Sequence, residues 1–172
     1  MLNKILISTL LLFTLSEAKD SFSSERLLGI EVGYASSQYE RNSISKTNKD
    51  PEYGFRIGAQ NKDWRTTFIA NMSRGSKHKY QKAMLTFDHF VWQSLYEKDH
   101  IRFKPYVGGH IGWIKHTADD LSENGMLYGG EIGLVWNVLD EVDFDLGYRY
   151  SVTNLDNLDS LDAMTLGVNY IY

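Results

Sequence analysis

From residue 27 onward apolar and polar side chains alternate along the chain, and short polar runs interrupt the alternation at intervals. Residues two apart in an extended chain share a face, so the pattern predicts strands with one apolar and one polar side, separated by turns. Eight segments follow: residues 27–40, 52–61, 64–74, 80–96, 101–116, 124–139, 142–153 and 161–172. They are long beside soluble strands of about 5–6 residues, and they match the roughly 9–11 residues with which a tilted strand crosses a bilayer. No segment shows a persuasive helical period.

The two faces differ in kind. In the seventh segment Val142, Phe144, Leu146, Tyr148 and Tyr150 share one side, while Asp143, Asp145, Gly147, Arg149 and Ser151 share the other. In the sixth, Tyr128, Ile132, Leu134, Trp136 and Val138 oppose Gly129, Glu131, Gly133 and Asn137. Four units set a large polar residue between glycines on one face: Gly29-Ile-Glu31-Val-Gly33, Gly54-Phe-Arg56-Ile-Gly58, Gly108-Gly-His110-Ile-Gly112 and Gly129-Gly-Glu131-Ile-Gly133. Glycine weakens a strand interior and marks close approach. A solvated face has no use for it, whereas the narrow inside of a small closed barrel does. The apolar face then points outward, into lipid. A soluble ligand carrier would invert the arrangement and keep its apolar face inside.

The fourth segment resists this assignment. Alternation through Leu85 and Phe87 places His89 in lipid, and alternation through Phe90 and Trp92 places Asp88 there, so a bulge or face switch is expected near Asp88 and His89. Outward aromatics gather near segment ends. Trp64, Trp92, Phe103, Trp136, Phe144, Tyr170 and Tyr172 lie toward one end, and Tyr34, Tyr53, Trp113, Tyr128 and Tyr150 toward the other, as two interfacial girdles require.

The links alternate too. Asn61 to Asp63, Glu97 to His100 and Asp140-Glu141 are tight, whereas Arg41 to Pro51, Gly75 to Lys79, Thr117 to Glu123 and Asn154 to Ser160 read as longer polar loops. Short periplasmic turns and longer extracellular loops have this arrangement, with both termini in the periplasm.

The N-terminus agrees with export. Lys4, the apolar run Ile5 to Leu15 and the ending Ser16-Glu17-Ala18 read as a cleaved signal peptide over residues 1–18, which leaves a single domain over 19–172. The chain has no cysteine, hence neither disulfides nor a lipid-attachment thiol. Lys4 and Glu17 cancel, so the mature part keeps the net charge of −4 and offers no basic excess for nucleic acid.

Five acids, Glu31, Asp88, Glu131, Asp143 and Asp145, and five bases, Arg56, Arg65, Arg102, Lys104 and Arg149, fall on the polar face. Buried charges persist when paired, so an even inventory suits an interior closed by salt bridges. We expect Glu31 and Arg56 in one internal cluster and His110, Glu131 and Arg149 in a second. Asp143, Arg102 and Lys104 lie near segment starts, where a wet barrel mouth is the simpler place for them.

Thr165-Leu-Gly167-Val-Asn-Tyr170-Ile-Tyr172 ends the chain with a polar residue, a glycine two later and aromatics three and five after that. This segment resembles the β-signal of the small OmpA-like and OmpX-like outer-membrane barrels, whose usual last residue is Phe where Tyr172 stands. Tyr128-Gly-Gly-Glu-Ile-Gly133 and Phe144 to Tyr150 also resemble the last hairpins of that family. The resemblance spans the mature chain. It implies a closed eight-stranded antiparallel up-and-down transmembrane barrel in the bacterial outer membrane, an all-β fold. It further implies that Thr165, Gly167, Tyr170 and Tyr172 are read by the barrel-assembly machinery.

Activities in that family vary, so fold alone assigns none. Barrel enzymes that deacylate lipid A carry a His-x-Ser-Asn run, and Tyr148 to Asn154 supplies Ser151 without the histidine. His116 beside Asp119 and Asp120, or His78 beside Ser76, are the other acid–base candidates, and solvated loop positions account for them more simply. Arg41, Lys46, Lys49, Arg74, Lys77 and Lys79 make one side of the loop rim basic, and Asp119, Asp120, Glu123, Asp156, Asp159 and Asp162 make the other acidic. Lipopolysaccharide phosphates suit the basic side. The spacing of Asn154, Asp156, Asp159 and Asp162 is not that of an EF-hand. The reading is a monomeric, non-enzymatic integral outer-membrane protein without cofactor or metal, in contact with outer-membrane lipid and lipopolysaccharide. A small channel or porin and a lipid-modifying barrel enzyme are the alternatives.

Overall fold

The period-two pattern folds into nine antiparallel strands in the computed structural model, which describes residues 24–172 apart from 42–43, 75–77, 93, 96, 99–100, 119–120 and 156–157. The strands are β1 (Glu25–Arg41), β2 (Ile44–Gln60), β3 (Trp64–Arg74), β4 (His78–Phe90), β5 (Glu97–Lys98), β6 (Ile101–Ala118), β7 (Leu121–Leu139), β8 (Val142–Leu155) and β9 (Leu158–Ile171). Each long strand pairs with its neighbour in the chain. The ring closes where Leu27–Gln38 of β1 meets Ser160–Ile171 of β9, and β4 passes directly to β6 over His78–Phe90. The result is a closed eight-stranded barrel without a free edge, and the two-residue β5 only finishes the wall beside Ile101 and Arg102.

Burial runs opposite to that of a soluble protein. Ile30 is 63% exposed on the outer wall, and its neighbour Glu31 is 1% exposed inside. Phe55, Ile57, Val107, Ile132, Leu146 and Leu166 likewise point out. This overturns the carrier alternative, because an apolar belt facing outward around a charged interior is stable only against lipid. The girdles form as two sets. At the end where β1 begins and β9 finishes, Trp136 stacks on Phe103 at 5.7 Å and meets Phe144 tilted at 5.8 Å, and Tyr170 stacks on Tyr172 at 6.0 Å. Tyr34, Tyr53, Trp113, Tyr128 and Tyr150 are exposed at the far end.

Two expectations fail. Three of the longer loops shrink to short links, and strand ladder runs almost to the tips: Arg41 pairs with Ile44, Ala118 with Leu121 and Leu155 with Leu158. Beyond the lipid the outer face of a strand meets water, so its outward side chains need not be apolar and these stretches lose the alternation that reveals a strand although their backbones still pair. Ile44–Pro51 of β2 thus precedes its first outward aromatic, Tyr53, and the wall overhangs the apolar band at the end remote from the start of β1. Second, no bulge interrupts Asp88 or His89. Asp88 pairs with Arg65 and faces in, whereas His89 pairs with Trp64 and faces out. The imidazole escapes hydrocarbon by lying at the girdle, 4.5 Å from the Trp64 ring, with Nδ1 3.0 Å from the Asp63 carbonyl. Phe90 can face in because the Arg65 guanidinium and the Lys104 ammonium lie 5.7 Å and 5.6 Å from its ring. Regular pairing stops only after Phe90, where Val91 and Leu95 still hold β6 through the Pro105 and Phe103 carbonyls. The proposed signal peptide, residues 1–18, lies outside the described residues.

Candidate functional site

Inward glycines set the geometry of the lumen. On the ladder Glu31, Gly54 and Asn71 stand in one row, and the absent side chain at Gly54 lets Asn71 Nδ2 reach Glu31 Oε1 at 2.5 Å, two strands away. His110 and Ser151 meet across Gly129 in the same way, Nε2 to Oγ 2.8 Å, and Asp88 and Glu131 flank Gly108. A Cβ added at Gly54 would strike the Asn71 carboxamide, and one at Gly129 the Tyr150 carbonyl. Alternating large and absent side chains is how a narrow barrel packs its inside.

The charged residues form one chain of contacts. Arg65 Nε donates to Asp88 Oδ2 at 2.8 Å and its Nη1 to Asp145 Oδ2 at 2.5 Å. Asp145 also accepts from Arg56 Nη2 at 3.0 Å and from the Tyr106 hydroxyl at 2.8 Å. Arg56 Nε lies 3.7 Å from Glu31 Oε2, Arg149 Nη1 donates to Glu31 Oε1 at 3.2 Å, and Arg149 Nε donates to Glu131 Oε2 at 2.8 Å. Glu31, Arg56, Glu131 and Arg149 therefore belong to a single network, not to two clusters, because Asp145 and Glu31 each serve two arginines. His110 is buried but bonds Ser151 instead of Glu131 or Arg149.

Nearer the far end Lys82 Nζ donates to Glu52 Oε2 at 2.8 Å, and the Tyr80 hydroxyl reaches the same oxygen at 3.2 Å. This buried pair was not legible in the sequence, since Glu52 opens its segment directly after what reads as loop and Lys82 lies in the segment of doubtful facing. Above it aliphatic side chains crowd the lumen beside the buried His116. Ile114, Leu127, Leu155, Leu158 and Leu161 are all buried, with Ala35 and Ala163, in one aliphatic cluster. At the opposite mouth Asp143 is buried and bonded by Asn137 and by Gln60 Nε2 at 3.4 Å. Arg102 is exposed there and Lys104 half-buried, so both bases sit at this mouth and not deep in the lumen.

The remaining candidates separate. Thr165 and Gly167 face inward, and Arg56 Nη1 occupies the space a side chain at Gly167 would need. Tyr170 and Tyr172 face outward, and Tyr172 is tied to Arg26 by backbone bonds of 2.9 and 3.0 Å. His116 is buried within the lumen. The side chains of His78, Ser76, Asp119 and Asp120 lie outside the described residues, as do those of Arg41, Lys46, Arg74, Lys77 and Asp156. Ser151 does gain a histidine, His110, but both are buried and His110 Nδ1 has no hydrogen-bond partner among the described residues to orient it. A serine nucleophile needs a base held by a third group and a path for substrate, and this pair has neither.

Residues 5–172 match the family described as outer membrane protein beta-barrel domain. Among solved structures, the chain is similar to Neisserial surface protein A, with 16% identity, a TM-score of 0.61 and coverage of 86% of this chain and 96% of that one. Outer membrane protein H from P. aeruginosa gives 19% identity and a TM-score of 0.60, covering 86% and 99%. The attachment invasion locus protein of Yersinia pestis, solved in complex with the heparin analogue sucrose octasulfate, gives 18% identity and a TM-score of 0.52, covering 86% and 99%. No curated protein matches the sequence. The chain belongs to the outer membrane protein β-barrel family, and its place is the bacterial outer membrane.

Proposed function

Starting from an outer-membrane barrel of this family, we propose that the protein is a sealed structural and surface-interaction element of the membrane, neither a channel nor an enzyme. One observation carries this reading: the lumen is occupied along its length, by the chain Asp88–Arg65–Asp145–Arg56–Glu31–Arg149–Glu131 in the middle and by Ile114, Leu127, Leu155, Leu158 and Leu161 toward the far end. Ions crossing would have to break buried pairs and then enter an aliphatic plug, each costing several kcal/mol. What remains available is the outside. The strand ends overhang the apolar band and carry the polar surface that meets headgroups and other molecules. A barrel of the same fold crystallised with a polysulfated saccharide fits such a role. The overhanging end faces the cell exterior, the termini face the periplasm, and Thr165, Gly167, Tyr170 and Tyr172 serve as the signal for the barrel-assembly machinery. The barrel acts as a monomer, contacts outer-membrane lipid and lipopolysaccharide, and binds no nucleic acid.

Single-channel recording in planar bilayers tests the reading. Refolded protein should give no discrete steps, and reproducible steps from the wild type would install the channel reading in its place. Acyl release from phospholipid or lipid A by the purified barrel would instead favour the enzyme, with Ser151 as the first residue to replace.

A further inference from the structure

Outward lysines are unusual on a lipid-facing wall, and two stand together. Lys79 of β4 pairs with Thr117 of β6, and Gln81 pairs with Lys115, so the two ammonium groups flank one rung on neighbouring strands. These four residues line a cleft of about 140 Å³, and no carboxylate is among them. Its height is fixed by Trp113, the girdle residue two positions along β6, which points out on the same face. A cation just beyond an interfacial aromatic lies at headgroup level, where a phosphate is its natural partner. The outer wall is also one-sided at this end. Lys49, Lys79 and Lys115 are exposed on β2, β4 and β6, whereas β9 presents Asp159 and Asp162.

A second feature lies on the same wall below the cleft. Gly109 of β6, six residues from Lys115, pairs with Gly130 of β7, and the row continues to Phe87 on one side and Tyr150 on the other. Both rings are exposed to the membrane. Every inward glycine described has an atom within 3.0 Å of the place where a Cβ would go. At Gly109 and Gly130 the nearest atom is 3.5 Å away, so packing within the barrel does not demand glycine there. Glycine in a strand otherwise marks close approach from outside, and here the approach is from the lipid side.

We propose that the wall formed by β4, β6 and β7 is a binding site for a phosphorylated glycolipid of the outer leaflet, namely the lipid A part of lipopolysaccharide. Lys79 and Lys115 hold a phosphate, Gln81 and Thr117 offer hydrogen bonds to its sugar, and an acyl chain lies in the dent over Gly109 and Gly130 between Phe87 and Tyr150. The proposal deepens the surface-interaction reading and depends on it for which end faces outward.

The test is a titration of the folded full-length barrel in micelles, with thermal unfolding as the readout. The probes are bis-phosphorylated lipid A, dephosphorylated lipid A and phosphatidylglycerol. Bis-phosphorylated lipid A should raise the unfolding temperature at the lowest concentration. Joint Lys79→Gln and Lys115→Gln should weaken that response roughly tenfold or more, since each lysine near an anionic headgroup contributes on the order of 1 kcal/mol. Lys79→Arg with Lys115→Arg should keep it. Gly109→Leu is a second, uncharged variant that keeps the lipid-facing wall apolar, and it should weaken lipid A while leaving the unliganded unfolding temperature in place. An equal response to phosphatidylglycerol, or an unchanged response in the double glutamine variant, would overturn the proposal. A barrel silent in bilayers that shows no lipid A preference would sink this inference alone and leave the sealed-barrel reading standing.

Discussion

Asn71 donates to Glu31 across Gly54 at 2.5 Å, although the strands that carry them, β3 and β1, never pair. This contact states the rule of the interior: a glycine in the middle strand removes a side chain so that its two neighbours can meet. Other buried acids and bases reach partners across the narrow lumen itself, as Arg65 of β3 does with Asp145 of β8 and Arg149 of β8 with Glu31 of β1.

Inward and outward glycines should therefore respond differently to the same change. Gly54→Ala places a methyl against Asn71 and the Ala70 carbonyl and should cost about 1–3 kcal/mol, while Gly109→Ala should stay within about 0.5 kcal/mol of wild type. Urea unfolding in micelles, followed by tryptophan fluorescence, gives both values. Equal losses at the two positions would refute the spacer role.

Arg149 serves Glu31 and Glu131 together. Its replacement by Met takes the arginine from Glu131 and one of two from Glu31 and should destabilise by about 3–5 kcal/mol, the cost of a broken buried pair. Glu131→Ala should also destabilise, and joining it to Arg149→Met should cost clearly less than the sum of the single changes. The joint change should still not be neutral, because Glu31 loses one of the two arginines that face it. A double-mutant cycle in micelles measures this; additive losses would mean that Glu131 and Arg149 do not act as a unit.

Tyr172 ends β9 beside Arg26 and stacks on Tyr170. If the terminal aromatic is an assembly signal, its deletion should lower the heat-modifiable, folded band in outer-membrane fractions and leave precursor or degraded chain. Wild-type amounts of folded barrel after the deletion would remove that role.

Orientation can be read from thiol labelling, since the chain has no cysteine of its own. A cysteine at Asp159, exposed on the overhanging wall, should react with an impermeant maleimide on intact cells, and one at Lys62, in the tight turn between β2 and β3, should not. Reaction at Lys62 alone would invert the barrel.

The sequence by itself determined the strands, the side each residue faces and the existence of a charged interior, because these rest on period two, a property of any extended chain. Val142 to Ser151 could be assigned residue by residue for that reason. Local pattern failed where the outer face no longer meets lipid: Ile44–Pro51 lacks a period-two apolar row and reads as loop, yet it is strand. It failed again at His89, whose place at the girdle beside Trp64 depends on a neighbouring strand. Only closure of the barrel decided which charges meet. The ladder register and the tilt of the strands bring Asp145 of β8 beneath Arg56 and Arg65 of β2 and β3, merge two expected clusters into one network and pair Lys82 with Glu52. Those contacts join residues far apart in the chain across a shared lumen, and no local spacing encodes how far one strand has slid past the next.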